Sequence, residues 1–364
     1  LNLFFLHPSI FFILFSPGGR KNPPNSDFLF LGGRGYGIIS KKGGAGMLHF
    51  GIDLGGTNVA AGVVADDGAI LGKASLPTPR GASLDGLADA IAAACEAALG
   101  TAGVPREAVG DAGVGTPGAV EPSRGLVTYC CTFDLYNAPL AAAVSQRLGL
   151  PVALENDANA AACGEMVCGA GTAVRNLVAV TYGTGVGGGV IVDGKLLTGV
   201  NHAAGELGHI VIERNGLPCS CGRRGCYEQY ASATALIRRT REAMAQNPSS
   251  LLWQFAPAEE QVTGRTAFDA AGAGCALAKA VVDGYLEDVA CGLVNLVQIF
   301  QPELVVLGGG ISGQGEALLQ PLQAVLDRED YARFHQVRTK LAIAELGNDA
   351  GIIGAALVRR FQKE

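Results

Sequence analysis

The sequence predicts a mixed α/β protein built as two related lobes around a cleft, and three observations carry that prediction. Short apolar runs of strand length alternate with alanine-rich stretches of helical length. A strand, glycine turn, strand unit occurs twice, at "HFGIDLGGTNVAAGVVADDGAILGKASL" from His49 and at "NLVAVTYGTGVGGGVIVDGKLL" from Asn176, with Gly-Thr in the turn each time. The chain has 364 residues, 49% of them hydrophobic and 16% charged, which is long enough to bury two cores of ordinary size.

Taken in order, the first unit reads as three short strands joined by tight turns. Alanine-rich helices follow near residues 84–99, 139–148 and 158–168, and the apolar runs "DAGVG" and "LPVALEN" between them read as buried strands. After the second hairpin come helices over 232–245 and 275–300, the strand "ELVVLGGG" and a last helix from Ala350. The expected division is a small lobe of residues 47–167 with 350–364 and a large lobe of 168–349. Each lobe opens on a glycine hairpin, so a cleft between them can hold a phosphate chain from both sides.

Residues 1–46 read differently. "LNLFFLHPSIFFILF" is apolar, "SPGGRKNPPNSDF" is polar and rich in breakers, and Met47 follows "KKGGAG". The apolar run lacks the basic start and small-residue cleavage site of a secretory signal and is too short for an ordinary membrane span. The expectation is a non-native or disordered leader with translation starting at Met47, since Lys-Lys-Gly-Gly codons can spell a purine-rich ribosome-binding sequence.

Charge and cysteine usage narrow the function classes. A net charge of -6 without a long Lys/Arg run leaves no electrostatic footprint for DNA or RNA. Seven of the ten cysteines sit mostly among alanines and aliphatics, where a reduced thiol is a small apolar filler. That usage points to a reducing cytoplasm, and a chain of this length needs no disulfide scaffold.

"GIDLGGT" sets Asp53 at a strand end before Gly55, Gly56, Thr57 and Asn58, where bare backbone N–H groups can approach phosphate oxygens. A plain β-turn explains the same residues. "YGTGVGGG" contains G-x-G-x-x-G at Gly183, Gly185 and Gly188, but a strand follows where a dinucleotide fold needs a helix. A second match at Gly308, Gly310 and Gly313 lies too late in the chain to open a domain, and the P-loop pattern is absent. "LENDANAAACGE" places Asn156 and Asp157 between strand and helix, as an ordinary N-cap or as a general base facing a cleft.

His209, Cys219, Cys221 and Cys226 form H-x9-C-x-C-x4-C, one nitrogen and three thiolates suited to closed, structural Zn2+. A disulfide with a free thiol is the competing reading. Such a centre would hold Glu206 and Glu228 rigidly beside the cleft, where two carboxylates can grip the hydroxyls of a polyol.

Together these stretches resemble the ROK family of repressors, open reading frames and sugar kinases. "GELGHIVIERNGLPCSCGRRGCYE" is similar to its Gly-Glu-x-Gly-His and Cys-x-Cys-Gly-x-x-Gly-Cys-x-Glu run, and "GIDLGGT", "GVGTPGAV", "ENDANAA", "TYGTGVGGG" and "LGGGIS" occur in family order from Leu48 almost to the C-terminus. The resemblance implies the actin-like, ribonuclease-H-like pair of lobes and an ATP-dependent hexose kinase making glucose 6-phosphate. By motif, Asp157 is the general base, and Asn156, Glu206, His209 and Glu228 hold the sugar. Asp53, Gly55, Gly56, Thr57 and Asn58, with Thr184, Gly185 and Gly187 opposite, embrace the phosphates of ATP and Mg2+, while Gly309 and Gly310 lie near the adenosine. The implied state is a cytoplasmic homo-oligomer, dimer or tetramer, without membrane or nucleic-acid partners.

One motif departs from the family's Asn-Leu-x-Trp, since Thr132 and Leu135 occupy the Asn and Trp places in "TFDL". The departure leaves an N-acetylhexosamine (N-acetylglucosamine or N-acetylmannosamine) or fructose open as substrate. A sugar-sensing regulator is the rival from another class, and it calls for a basic helix-turn-helix ahead of the first hairpin. Residues 1–46 are too apolar and too poor in Lys and Arg for that.

Overall fold

The computed structural model describes residues 47–362, and the expectations for residues 1–46 lie outside them. Strands β1 (Leu48–Leu54), β2 (Asn58–Ala65) and β3 (Ile70–Pro77) form the predicted antiparallel meander. Helix α1 (Leu84–Ala102) follows, started by Ser83 accepting from the Gly86 N–H and stopped by Gly103 at φ 65°. Its Leu87, Ile91, Ala94 and Ala98 recur at helical spacing and are fully buried.

Strand β4 (Val109–Thr116) returns parallel to β1. Next comes a small antiparallel sheet of β5 (Ala119–Glu121), β6 (Leu126–Cys130) and β7 (Leu135–Ala138). The sequence does not reveal it, because strands this short, broken by Pro122 and Gly125, carry too few residues for a readable alternation. Helix α2 (Leu140–Leu148) leads to β8 (Val152–Asn156), parallel to β4, and then to α3 (Asp157–Cys168).

The second meander is β9 (Leu177–Tyr182), β10 (Val186–Val192) and β11 (Lys195–Leu196). An irregular strap over 197–227 follows, then α4 (Glu228–Ala231), α5 (Ala233–Gln246), α6 (Leu252–Phe255), α7 (Thr266–Gly272) and the long α8 (Ala276–Phe300). Strand β12 (Leu304–Gly308) lies parallel to β9, α9 (Glu316–Glu329) precedes β13 (Lys340–Ile343), and α10 (Asp349–Leu357) closes the fold.

The two large sheets have the orders β3-β2-β1-β4-β8 and β11-β10-β9-β12-β13. In both, an antiparallel meander is extended by two parallel strands on the side of its first strand. The hairpin repeat read in the sequence is therefore a repeat of whole sheets.

Helices α3 and α10 cross between the sheets, α10 packing on β1 and β4 and α3 on β9 and β10. Backbone meets backbone there. A β-carbon at Gly51 or Gly113 would overlap the carbonyl of Ile352 or Ala355, and one at Gly354 or Gly164 would overlap the carbonyl of Ala160 or Ala350. Buried Glu165 reinforces the joint by accepting from the backbone N–H groups of Ala170 (3.0 Å), Glu345 (3.2 Å) and Leu346 (2.9 Å). It ties α3 to the segment that enters α10. No helix among the described residues is long and apolar enough to cross a membrane.

Helix propensity alone favours alanine over glycine by about 1 kcal/mol. At position 354 the overlap wins, so Gly354→Ala is expected to destabilise the protein by about 1–3 kcal/mol, read as a lower midpoint in chemical denaturation. Gly100→Ala in α1, where nothing lies within 4 Å of an added β-carbon, is the control and is expected to stabilise.

Candidate active site

Strand β8 ends at Asn156 and α3 begins at Asp157, which puts two polar side chains at the strand-to-helix switch. Asn156 Oδ1 accepts from the N–H groups of Ala158 (2.9 Å) and Asn159 (3.2 Å), and its Nδ2 donates to Gly118 O at 3.1 Å. Asn156 is thus the N-cap. Asp157, in the first turn, accepts from the Ala158 N–H at 2.8 Å.

Asp157 stands in the wall of two cavities that also share Ala158, Gly187, Glu206 and His209. The first, of about 480 Å³, is lined on its other sides by Asp53, Gly183, Gly185, Glu228 and Gly309. The second, of about 410 Å³, is lined by Asn156, Tyr129, Cys131 and His202. A third of about 240 Å³ borders the first at Thr181, Gly309, Gly347 and Asn348 and reaches Gly310 and Ser312. Burial pushes the Asp157 carboxyl above the usual range. Asp53 is pushed up to about 6, first by burial and then by the negative charge of Asp157. Two buried carboxylates, one of them raised further by the other's charge, are a donor set suited to a divalent cation, which favours the ionised forms of both.

Of the residues expected from sequence, Asp53, Asp157, Gly185, Gly187, Glu206, His209, Glu228 and Gly309 meet at the first cavity, Asn156 at the second and Gly310 at the third. Gly55, Gly56, Thr57, Asn58 and Thr184 line none of these cavities. The turn between β1 and β2 closes on itself through Gly55 N–H to Asn58 O (3.0 Å) and Thr78 Oγ1 to Gly55 O (2.7 Å). Thr184 O accepts from Thr234 Oγ1 at 2.8 Å. Sequence reasoning passed over Gly347, Asn348 and Gly351, which reach the first cavity at the start of α10. The run Gly-Asn-Asp-Ala-Gly ahead of an apolar helix was the available signal. Thr132 packs toward the β1–β2 turn, its Cγ2 lying 3.0 Å from where a β-carbon on Gly56 would stand. The neighbouring Tyr129 and Cys131 face the second cavity instead.

The strap carries the sulfur cluster. His209 Nδ1 lies 3.7 Å from Cys219 Sγ, and Cys221 Sγ lies 3.6 Å from Cys226 Sγ. All four donor atoms fall within 4.8 Å of one another. A tetrahedral zinc centre with ordinary bond lengths has donor–donor edges of about 3.6–3.8 Å, so the set fits that ion. A sulfur–sulfur bond of about 2.05 Å does not describe these thiols, and all ten cysteines are free. Gly225, at φ 77°, is required here because a β-carbon would overlap Glu213 O. The Cys219 thiol donates to Glu228 Oε1 at 3.0 Å.

Between Cys226 and Glu228, Tyr227 is fully buried. Its hydroxyl donates to Val289 O on α8 at 2.8 Å and lies 2.8 Å from Tyr182 Oη on β9. Gly292 on α8 leaves room for the ring, since a β-carbon there would overlap it. The irregular strap is thereby bolted to the second sheet's core.

The ROK family profile matches residues 49–360. The chain belongs to the ROK family. Over 310 residues it is 40% identical to the glucokinase of Thermotoga maritima, covering 85% of this chain and 96% of that one. The crystal structure of a ROK family glucokinase from Streptomyces griseus, in complex with glucose and AMPPNP, superposes with a TM-score of 0.74 at 36% identity, covering 85% and 98% of the two chains. A ROK family transcriptional regulator, homologous to the E. coli MLC protein, superposes with a TM-score of 0.76 at 26% identity, covering 86% of this chain and 78% of the regulator. The fold is accordingly the two-lobed, actin-like ATPase fold that the ROK resemblance implied, and its repeated sheets are the two halves of that architecture.

Tyr227→Phe removes the donor to Val289 O and leaves that buried carbonyl and the Tyr182 hydroxyl short of a partner. A loss of about 1–3 kcal/mol in unfolding free energy is expected from denaturant titration.

Proposed function

We propose that the protein is an ATP-dependent hexose kinase that converts glucose to glucose 6-phosphate, with Asp157 as general base. The observation that carries this reading is the place of Asp157 in the wall shared by two cavities, one lined by glycine turns and Asp53, the other by polar side chains. A base that takes a hydroxyl proton while the oxygen attacks a phosphorus must face both reactants. The similarity to glucokinases, one of them in complex with glucose and AMPPNP, supports the assignment of ATP to the glycine-lined side and the sugar to the other.

In the reaction, the sugar hydroxyl loses its proton to Asp157, its oxygen forms a bond to the γ-phosphorus, and the bond from that phosphorus to the bridging oxygen breaks to release ADP. Burial suits Asp157 to this role, because a carboxyl raised above its usual range is a better proton acceptor near neutral pH. Gly185 and Gly187 bring bare backbone to the phosphates, with Asp53 at the end of β1 in the same cavity and Gly309 and Gly310 toward the adenosine. Asp53 would hold Mg2+, which when bound supplies charge neutralisation at the transferring phosphoryl group. Asn156, Glu206 and His209 hold the sugar from its own cavity and Glu228 from the side of the first cavity; Asn156 has one amide hydrogen left for it after capping α3 and bonding Gly118 O. The small lobe is assigned to residues 47–167 with 350–364, the large lobe to 168–349.

His209, Cys219, Cys221 and Cys226 would hold a structural Zn2+ that fixes the strap from which Glu206 and His209 project and the start of α4 that carries Glu228. Cys221→Ser is expected to lose the metal, measured as zinc per chain by plasma mass spectrometry, and to raise the sugar KM more than the ATP KM. Unchanged zinc content would refute the ligand set.

The deciding experiment measures ADP release from ATP and Mg2+ with glucose, N-acetylglucosamine, N-acetylmannosamine, mannose and fructose. Glucose is expected to be turned over, and silence on every sugar would overturn the assignment. Asp157→Ala is expected to lower kcat by about 10²–10⁴-fold while calorimetry still detects sugar binding. Because Asp157 must be ionised to accept the proton, kcat is expected to fall as pH is lowered, on a limb displaced above the usual aspartate value of about 3.9.

A further inference from the structure

Two buried polar atoms without a hydrogen-bond partner, Asn159 Oδ1 and His202 Nδ1, belong to residues that line the same cavity, the one assigned above to the sugar. Asn159 is 2% exposed, in α3 two residues beyond Asp157. Its Nδ2 donates to Glu155 Oε1 at 3.0 Å, and buried Glu155 is itself held by the Asn156 N–H and by Gln362 Nε2. That network fixes the amide and leaves Oδ1 facing the strap, 3.5 Å from where a β-carbon on Gly205 would lie. His202 stands on the strap four residues before Glu206, at φ 58°. A histidine in the left-handed region is uncommon and costs free energy that glycine avoids.

An unpaired acceptor, an unpaired imidazole nitrogen and a strained backbone around one cavity together point to a ligand group that completes them. We propose that His202, backed by Asn159, is a further specificity-determining residue of the sugar cavity, and that the pair holds a neutral hydroxyl of the hexose. An amide oxygen only accepts, whereas an imidazole nitrogen donates or accepts according to its tautomer. A hydroxyl matches both, giving its proton to Oδ1 and accepting one from the imidazole. Neither partner carries a carboxylate charge, in contrast to Glu206 in the same cavity, so the pair selects an uncharged group. Solvent does not reach the two atoms, so the hydroxyl reaches them by a local shift of the strap at His202. The inference rests on the sugar kinase reading.

The test uses the full chain with His202→Gly, a change that relieves the left-handed backbone and so is expected to leave the melting temperature unchanged or higher. The glucose KM is expected to rise about tenfold or more with kcat within about threefold, a split that marks lost substrate binding. Repeating the comparison with 1-, 2-, 3- and 4-deoxyglucose identifies the hydroxyl, since the penalty is expected to shrink to about twofold or less for the one sugar that lacks it. His202→Asn, which tolerates the left-handed conformation and keeps a polar end, is expected to recover part of the affinity. A glucose KM within twofold of the parent, or an equal penalty on all four deoxyglucoses, would overturn the proposal. A parent protein that neither binds nor phosphorylates any sugar would instead overturn the kinase assignment on which it rests.

Discussion

The crossing of α3 and α10 is the constraint on which the rest of the structure depends. These two helices are the joint between sheets, and they meet through backbone because Gly164 and Gly354 leave no side chain between them. Gly51 and Gly113 let α10 lie just as closely on β1 and β4. Packing without side chains cannot adjust by changing rotamers, so the relative placement of the sheets follows from helix geometry alone. The N-terminal ends of both helices open on the first cavity, α3 with Asp157 and α10 with Ala350 and Gly351. Joint and chemistry therefore share the same two elements.

The electrostatics of the cleft follow from that arrangement. Asp53 ends β1 and Asp157 starts α3, and both are drawn out of solvent where the helices converge. Each is raised chiefly by burial, and Asp53 further by its neighbour's charge. A surface carboxylate would be a poor proton acceptor at neutral pH and a weakly disposed cation ligand. Partial burial changes both properties without a Lys or Arg side chain in the wall of this cavity.

Much of this was legible in the sequence for a local reason. The strand, glycine turn, strand units announce themselves over about two dozen residues, and their recurrence reports the repeated sheets. The sulfur ligands converge because Gly222 and Gly225 make tight turns within one short stretch. What stayed hidden was set over long range. Gly347, Asn348 and Gly351 reach the cavity only because α10 returns to β1 across nearly the whole chain. Thr132 and Cys131 are neighbours whose facing is decided by a hairpin of strands too short to show a period. The left-handed backbone of His202 has no sequence marker, since most residues in that conformation are glycine. The cap at Asn156 was readable, but its use of both amide ends was not, because Gly118 lies on a different strand connection.

Cys226, Tyr227 and Glu228 are three consecutive residues that face a sulfur cluster, the hydrophobic core and the active-site cavity. Most irregular segments of a protein open on their own with little free energy, and their amides exchange with solvent accordingly. The strap is irregular, yet its C-terminal end cannot lift away while the Tyr227 ring stays inserted between β9 and α8 and its hydroxyl stays bonded to Val289 O. Local opening of that end is thereby joined to the opening of the second sheet's core. The end of an irregular segment is held as a core strand is held, and Cys226 and Glu228 on either side of the ring keep their positions for as long as that core stays packed, while the strap farther from the ring, at His202 and Glu206, is left free of this anchor.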